Sequence, residues 1–339
     1  MTSPELSNLL KSFEQLTILV VGDFFLDRYL MIDPEIAETS VETRLEAHQV
    51  IEIRNSPGAA GTVTNNLCAL GIGHVIALGV IGEDGHGFDL TQGLQQSGVD
   101  ITQLISSSDR YTPAYTKPIR ASSGEEMERL DIKNRSRTPQ ELESHIIDRV
   151  GSLYGQADGM VVLDQVQETD CGVITAKVRK AIADLASSGD RPVLTDSRSH
   201  IASFRNVILK PNTDELKDLI GDETDAEKAV LALSSQTGRP VILTRGSDGI
   251  VASDGTETYS LPSISVPEPI DIVGAGDSVS AAVTSALAAR ASLPDAALLG
   301  VLSSSITVQQ IGTTGTASPD QILTRFQERF PDGASARQS

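Results

Sequence analysis

The sequence is poor in the groups that hold metals and build covalent frameworks. Its 339 residues include two cysteines, Cys68 and Cys171, far apart and outside any CxxC pair. That spacing excludes a zinc ribbon or a disulfide framework and leaves two reduced thiols. The five histidines are scattered, with no HxxxH or HExxH, so a structural zinc site is not expected either. Positive charge is scarce: 27 Lys and Arg stand against 46 Asp and Glu, for a formal net charge of −19. Such a field works against nucleic acid and anionic membrane as partners. An anionic substrate would need a local cluster of Arg and Lys. No apolar run is long enough to span a bilayer. The opening MTSPELSNLLKSFEQ is polar and amphipathic without a signal-peptide core, so a cytoplasmic protein is expected. Hydrophobic residues, at 39%, suffice for a sizeable core, and the length allows one large α/β domain or two average ones.

Against these absences stands a regular alternation. LTILVVGD (16–23) reads as a buried parallel strand ending in functional residues. In NSPGAAGTVTNNLCALG (55–71), Pro57 and Gly58 mark a turn and the rest a helix closed by Gly71. From about 139 onward strands and helices alternate: GMVVLD, PVLTD, VILK and PVILTRG each follow or precede a helical stretch. This pattern predicts a mostly parallel sheet covered on both faces. Two segments break it. Residues near 28–53 and 111–133 are β-rich, the second folded about SSGE as a hairpin, and are expected to form a small separate sheet. The tail PDGASARQS is expected to be disordered. Asp23, Asp164, Asp196, Asn212 and Arg245 all fall just after strands, where ligands bind in open α/β sheets.

The stretch DIVGAGDSV (271–279) places Gly274, Ala275 and Gly276 between two acids, at the start of a small-residue helix. Free backbone N–H groups there, with the helix dipole, make an anion site. Asp277 would repel a phosphate as mere scaffolding but makes sense as a base that takes a proton from an attacking hydroxyl. Helix starts also favour Asp for structural reasons, so the motif alone leaves capping and catalysis evenly matched.

Four motifs in order carry a resemblance. DIVGAGD resembles the C-terminal signature D-T-x-G-A-G-D of the ribokinase-like (PfkB) carbohydrate kinases, with Ile272 in place of Thr. KPNTDE (210–215) resembles their N-x-x-E element and TRGSDGI (244–250) their T-x-G-x-x-G segment. SPGAAGTVTNN resembles the N-terminal G-G-x-x-x-N, with Ala59 for the second Gly and Thr62 for Asn. Within the family the likeness is greatest to bacterial D-glycero-β-D-manno-heptose-7-phosphate kinases, through VVGDFFLDRYL, YTKPIR, MERLD and QQIGTTGTASPDQI. The relatives' D-Y-x-K-G and D-P-K elements are altered here, to Asp164–Glu168 without Lys and to Asp196-Ser197-Arg198. A kinase without the nucleotidyltransferase domain of bifunctional members is expected.

The resemblance implies a ribokinase-like three-layer α/β/α sandwich, with residues 1–339 as one kinase domain and the two β segments as its lid. It implies an ATP-dependent sugar kinase with Mg²⁺. Asp277 would be the base and Gly274, Ala275 and Gly276 the anion hole. Asn212 and Glu215 would organise Mg²⁺ through water, unless Asn212 and Thr213 simply cap a helix. Thr244, Arg245 and Gly246 would meet the nucleotide. Asp271, with the Ile272 carbonyl, would hold K⁺. On the sugar side stand Asp23, Asp27, Gly58 and Asp164. For a sugar phosphate the cations to consider are Arg44, Lys117, Arg120, Arg129 and Arg198, of which one or two are expected to matter. Relatives suggest a homodimer through the lid. The alternatives are a kinase of another sugar or nucleoside, and a non-catalytic sugar- or nucleotide-binding regulator on the same scaffold.

Overall fold

The computed structural model describes residues 1–221, 225–334 and 337–338. Helix α1 (Ser3–Ser12) leads into the buried run β1 (Thr17–Gly22). After the single residue Asp23 the chain enters the long β2 (Phe24–Thr39) and returns as β3 (Glu46–Ala59). There follow α2 (Ala60–Ala69), β4 (His74–Leu78), β5 (Val80–Gly82), α3 (Gly85–Gln96) and β6 (Ile105–Ser107). The second lid segment contributes β7 (Ala114–Arg120) and β8 (Leu130–Ile132). Regular alternation then gives α4 (Gln140–Tyr154), β9 (Gly159–Asp164), α5 (Ala176–Ser188), β10 (Val193–Ser197) and β11 (Ile208–Leu209). It continues with α6 (Thr213–Ile220), α7 (Ala226–Thr237), β12 (Val241–Thr244), β13 (Ile250–Ser253) and β14 (Thr258–Leu261). The small-residue segment forms α8 (Ala275–Ala288) and α9 (Leu293–Thr307), and α10 (Pro319–Arg329) precedes a short β15 (Arg337–Gln338).

The main sheet has the order β15-β14-β13-β12-β11-β10-β9-β1-β4. From β4 to β12 it is parallel; β13, β14 and β15 add antiparallel strands at one edge. Strand periodicity of two sends neighbouring side chains into different cores. Ile18 and Val20 of β1 and Val161 and Leu163 of β9 join one cluster with α1, α2, α8, α9 and α10. Leu19, Val21, Met160 and Val162 join the other, with α4, α5 and α7. Burying both faces explains why these strands read as unbroken apolar runs. The result is a three-layer α/β/α arrangement.

The smaller sheet has the order β3-β2-β7-β8, in which β2 and β7 run parallel. Its first hairpin is longer than the 28–53 stretch suggested, because β3 continues through Pro57 and Gly58 to Ala59. The turn expected at Pro57–Gly58 is therefore replaced by paired strand: Pro57 faces Leu26 and Gly58 faces Phe25. A proline is tolerated because β3 is an edge strand. Glycine at 58 has a steric cause, since a Cβ there would lie 2.5 Å from Asp27 Oδ2. Of the expected disordered tail, residues 335, 336 and 339 lie outside the described residues. Ala334 O accepts from the Met1 amino group at 2.7 Å, and Arg337–Gln338 pairs with β14.

Candidate active site

The site is built around the start of α8. Gly274 is its N-cap at φ +82°, a left-handed conformation that favours glycine. A Cβ there would also press on Thr314 Cβ at 3.3 Å and on Thr62 Cγ2 at 3.4 Å. The Ala275 N–H closes a turn on Ile272 O at 3.2 Å. Among the described residues the next two N–H groups, of Gly276 and Asp277, have no partner. Two free donors at the positive end of a helix are an anion site.

Asp277, in the first turn of α8, is half-buried. Burial pushes its carboxyl up to about 7, and repulsion from Asp196 adds to this. Lys210 and Arg198 pull the other way, and Asp27 contributes from the lid side. Asp196, next to last in β10, pairs with the Lys210 ammonium at 2.8 Å. Burial acts to lower the Lys210 pKa, but Asp196, with Glu215 and Asp277, outweighs it and holds the ammonium above its ordinary value. The Arg198 guanidinium is exposed and has no ion-pair or hydrogen-bond partner among the described residues.

Asn212 and Glu215 form a reciprocal cap on α6. Asn212 Oδ1 accepts from the Asp214 and Glu215 N–H groups at 2.9 Å, and Glu215 Oε2 accepts from the Asn212 N–H at 2.9 Å. Burial raises the Glu215 carboxyl, with Asp196 adding to it, while the Asn212 N–H and the Lys210 and Arg198 charges oppose. Thr244 pairs beside Asn212, donating its N–H to Pro211 O at 3.0 Å, so the two residues lie side by side. Arg245 is held by Asp248 at 3.2 Å, and Gly246, at φ +56°, faces open space. Asp271 ties two loops together, accepting from the Val273 and Gly312 N–H groups at 3.0 Å each.

The lid supplies the opposite wall. Register puts Asp27, Tyr29, Tyr115 and Lys117 on one face of the small sheet. Lys117 Nζ lies 3.2 Å from Asp27 Oδ1 and 4.9 Å from the Tyr29 ring centre. Arg129 stacks on Tyr115 at 4.8 Å and is clamped by Asp131 at 2.8 Å. Arg120 pairs with Glu125 at 3.6 Å, and Arg44 sits at the exposed hairpin tip. A cavity between the lid and the 164–168 segment is lined by Phe25, Tyr115, Lys133, Asn134, Gln165 and Gln167.

Two acids read as sugar ligands are engaged elsewhere. Asp23 is 4% exposed and accepts three backbone N–H groups, from Gln165, Val166 and Val173, at 2.8–3.1 Å. Asp164 is 2% exposed and accepts from Arg179 at 3.1 Å, Ser197 Oγ at 2.8 Å and His200 Nδ1 at 3.2 Å. Conversely, Lys210 had not been assigned a role from the sequence, although it stands in KPNTDE directly after an apolar strand. A lysine closing such a strand, just before a helix cap, was the available signal.

The pfkB family carbohydrate kinase profile matches residues 21–321. The chain is 30% identical over 324 residues to the bifunctional protein HldE of Trichlorobacter lovleyi, covering 93% of this chain and 64% of that protein. HldE of Caulobacter sp. (strain K31) is also 30% identical, over 91% of this chain and 62% of its own length. The chain thus spans somewhat less than two thirds of these relatives. Ribokinase from Thermotoga maritima has the same fold, with a TM-score of 0.69 at 21% identity, covering 92% of this chain and 99% of that one. Phosphofructokinase-2 of Escherichia coli, solved with potassium, superposes with a TM-score of 0.70 at 18% identity, covering 92% and 98%. The phosphate-ready turn, its acid and the lid facing them therefore have a family: the chain belongs to the pfkB carbohydrate kinases.

Proposed function

We propose that this sugar kinase is ATP-dependent and acts on a sugar that already carries a phosphate, of the heptose 7-phosphate type. The observation that carries the reading is the Arg198 guanidinium, exposed and without an ion-pair or hydrogen-bond partner among the described residues while it acts on the Asp277 carboxyl, in a chain of net charge −19. Lys117 and Lys210 stand nearby, paired with Asp27 and Asp196. The relatives named HldE support the heptose assignment.

Asp277 takes the proton of the attacking sugar hydroxyl as its oxygen bonds to the γ-phosphorus and the bond to the β-phosphate oxygen breaks. The N–H groups of Gly276 and Asp277 hold the charge that builds on the phosphoryl group. Asp27, whose carboxylate occupies the space a Cβ on residue 58 would need, orients hydroxyls from the lid side. Among the described residues no cluster of three His, Cys, Asp or Glu could hold a metal. That fits a Mg²⁺ brought by nucleotide phosphates, which keeps its waters and needs few protein ligands. Glu215 and Asn212 would receive those waters, and the ion would neutralise phosphate charge. Asp271 and the Ile272 carbonyl are the candidate K⁺ site. The lid face opposite Asp27 exposes Ile53 and Leu130, at 54% and 60%, and is the surface for a second copy. A monomer in sedimentation equilibrium would remove that pairing. The substrate is tested by ADP release with a panel of free and phosphorylated sugars. Equal kcat/KM for a heptose and its 7-phosphate would end the sugar-phosphate reading, and turnover of ribose, fructose or a nucleoside alone would redirect it.

A further inference from the structure

Lys210 is 3% exposed, and a buried ammonium is costly unless its donors are filled. It has three N–H groups to place. Among the described residues its one ion-pair partner is Asp196, at 2.8 Å. Asp196 is itself steadied by Ser280 Oγ at 3.3 Å, on α8. The lysine lies against the active-site turn: a Cβ on Gly276 would sit 3.6 Å from Nζ, with no other atom within 4 Å. So the ammonium stands beside the backbone whose N–H groups are also unpartnered. A purely structural lysine would be expected to reach further acceptors. This one is fixed on one side by Asp196, and its other N–H groups have no partner among the described residues.

We infer that Lys210, held in place by Asp196, is a catalytic residue that donates with the Gly276 and Asp277 N–H groups to the phosphoryl group in transit. The inference rests on the kinase reading above. In the step, the sugar oxygen–phosphorus bond forms, the phosphorus–oxygen bond to ADP breaks, and the hydroxyl proton goes to Asp277. Lys210 keeps its own protons throughout and meets charge that moves from the γ-phosphoryl oxygens to the β-phosphate. Asp196 is a positioning residue: it aims the ammonium without touching the reacting atoms.

The test compares Lys210→Met with the double variant Lys210→Met/Asp196→Asn, which removes both charges and leaves no unpaired buried acid. Turnover is measured with the best sugar of the panel, and affinities for Mg·ADP and for Mg·ADP–aluminium fluoride are measured by calorimetry. The expected result is a loss of about 10²–10³-fold in kcat in both variants, as for removal of one donor to a developing charge. ADP affinity should stay within about threefold, while the fluoride complex, which resembles the transferring group, should lose most of its extra affinity. Recovery of turnover in the double variant would show that Lys210 serves only as the counter-ion of Asp196. Near-normal turnover in Lys210→Met would equally overturn the inference. If Lys210→Met does not fold, the double variant alone decides. Wild-type protein that neither turns over any sugar nor binds the fluoride complex more tightly than ADP removes the kinase reading, and the role of Lys210 with it.

Discussion

Two pairs of aspartates stand along the same edge of the main sheet and have opposite fates. Asp23 and Asp164, after β1 and on β9, are buried and surrounded by donors: three backbone N–H groups for one, Arg179, Ser197 and His200 for the other. Asp196, on β10, has the Lys210 ammonium and Ser280 Oγ, and the Asp277 carboxyl, on α8, has no hydrogen-bond partner among the described residues, with the Lys210 and Arg198 charges nearby. An elevated pKa does not separate the pairs. Burial lifts Asp23 to about 6, with Asp164 adding to it, and lifts Asp277 to about 7. What separates them is hydrogen-bond saturation. A carboxylate whose lone pairs are filled by backbone is part of the scaffold, and one that is desolvated yet unfilled is available for a proton.

The sharpest way to break this comparison is Asp277→Asn. Its kcat should fall by about 10²–10⁴, since the amide cannot accept the hydroxyl proton. Nucleotide affinity should hold, and near-normal turnover would leave Asp277 as a helix cap. Asp164→Ala should act on the other side of the divide. It strands the buried Arg179 and should cost about 3–5 kcal/mol of stability, read by denaturant unfolding, while the remaining folded enzyme keeps its kcat. A stable Asp164→Ala variant with no turnover would place Asp164 in the chemistry after all. Next in size, Glu215→Gln should raise the Mg²⁺ requirement about 10–100-fold, with the melting temperature nearly unchanged because Gln still caps α6. An unchanged Mg²⁺ titration would confine Glu215 to the helix.

The elevated Asp277 pKa fixes two signs with pH. The base works as a carboxylate, so kcat/KM should rise about tenfold per pH unit below about 7 and level off above it. The fold favours the protonated form, so the unfolded chain binds fewer protons between the ordinary carboxylate pKa and about 7. The stability linked to Asp277 therefore falls across that window and falls no further above it. Asp277→Asn should accordingly gain melting temperature over wild type at pH 8 and not at pH 4. A flat profile from pH 5 to 8 would argue against Asp277 as the titrating base.

The smallest effect concerns the lid root. Ala59, where the resembling family has glycine, sits at φ +54° and ψ −117°. Ala59→Gly should stabilise by about 1 kcal/mol, the relief of such strain less the added freedom of the unfolded chain. A lower melting temperature would show that the Ala59 methyl packs more than it strains.

The layers were legible because periodicity reports burial. LTILVVG and GMVVLD are apolar throughout, and each became a strand buried on both faces. The lid hairpin was legible in its middle but not at its root, because Pro57 and Gly58 signal a turn locally. The need to clear the Asp27 carboxylate, 31 positions away on a paired strand, is invisible to a local reading. The rim acids could be placed by counting from strand ends, but their hydrogen-bond partners come from segments such as 165–173 and 197–200, which no periodicity orders. Nothing local in KPNTDE shows that the fold sets Lys210 beside Gly276.

The place of β1 has a consequence for biosynthesis. It pairs on one side with β4, as in Val20 with Ala77, and on the other with β9, as in Val20 with Val161. During translation the first edge can be covered early, but the second must wait for the stretch Gly159–Asp164 to leave the ribosome. At ~5–20 residues per second that interval is on the order of ten seconds. Throughout it, an apolar strand with one open edge is presented to solvent, which makes the nascent chain, rather than the finished protein, the natural client of a chaperone.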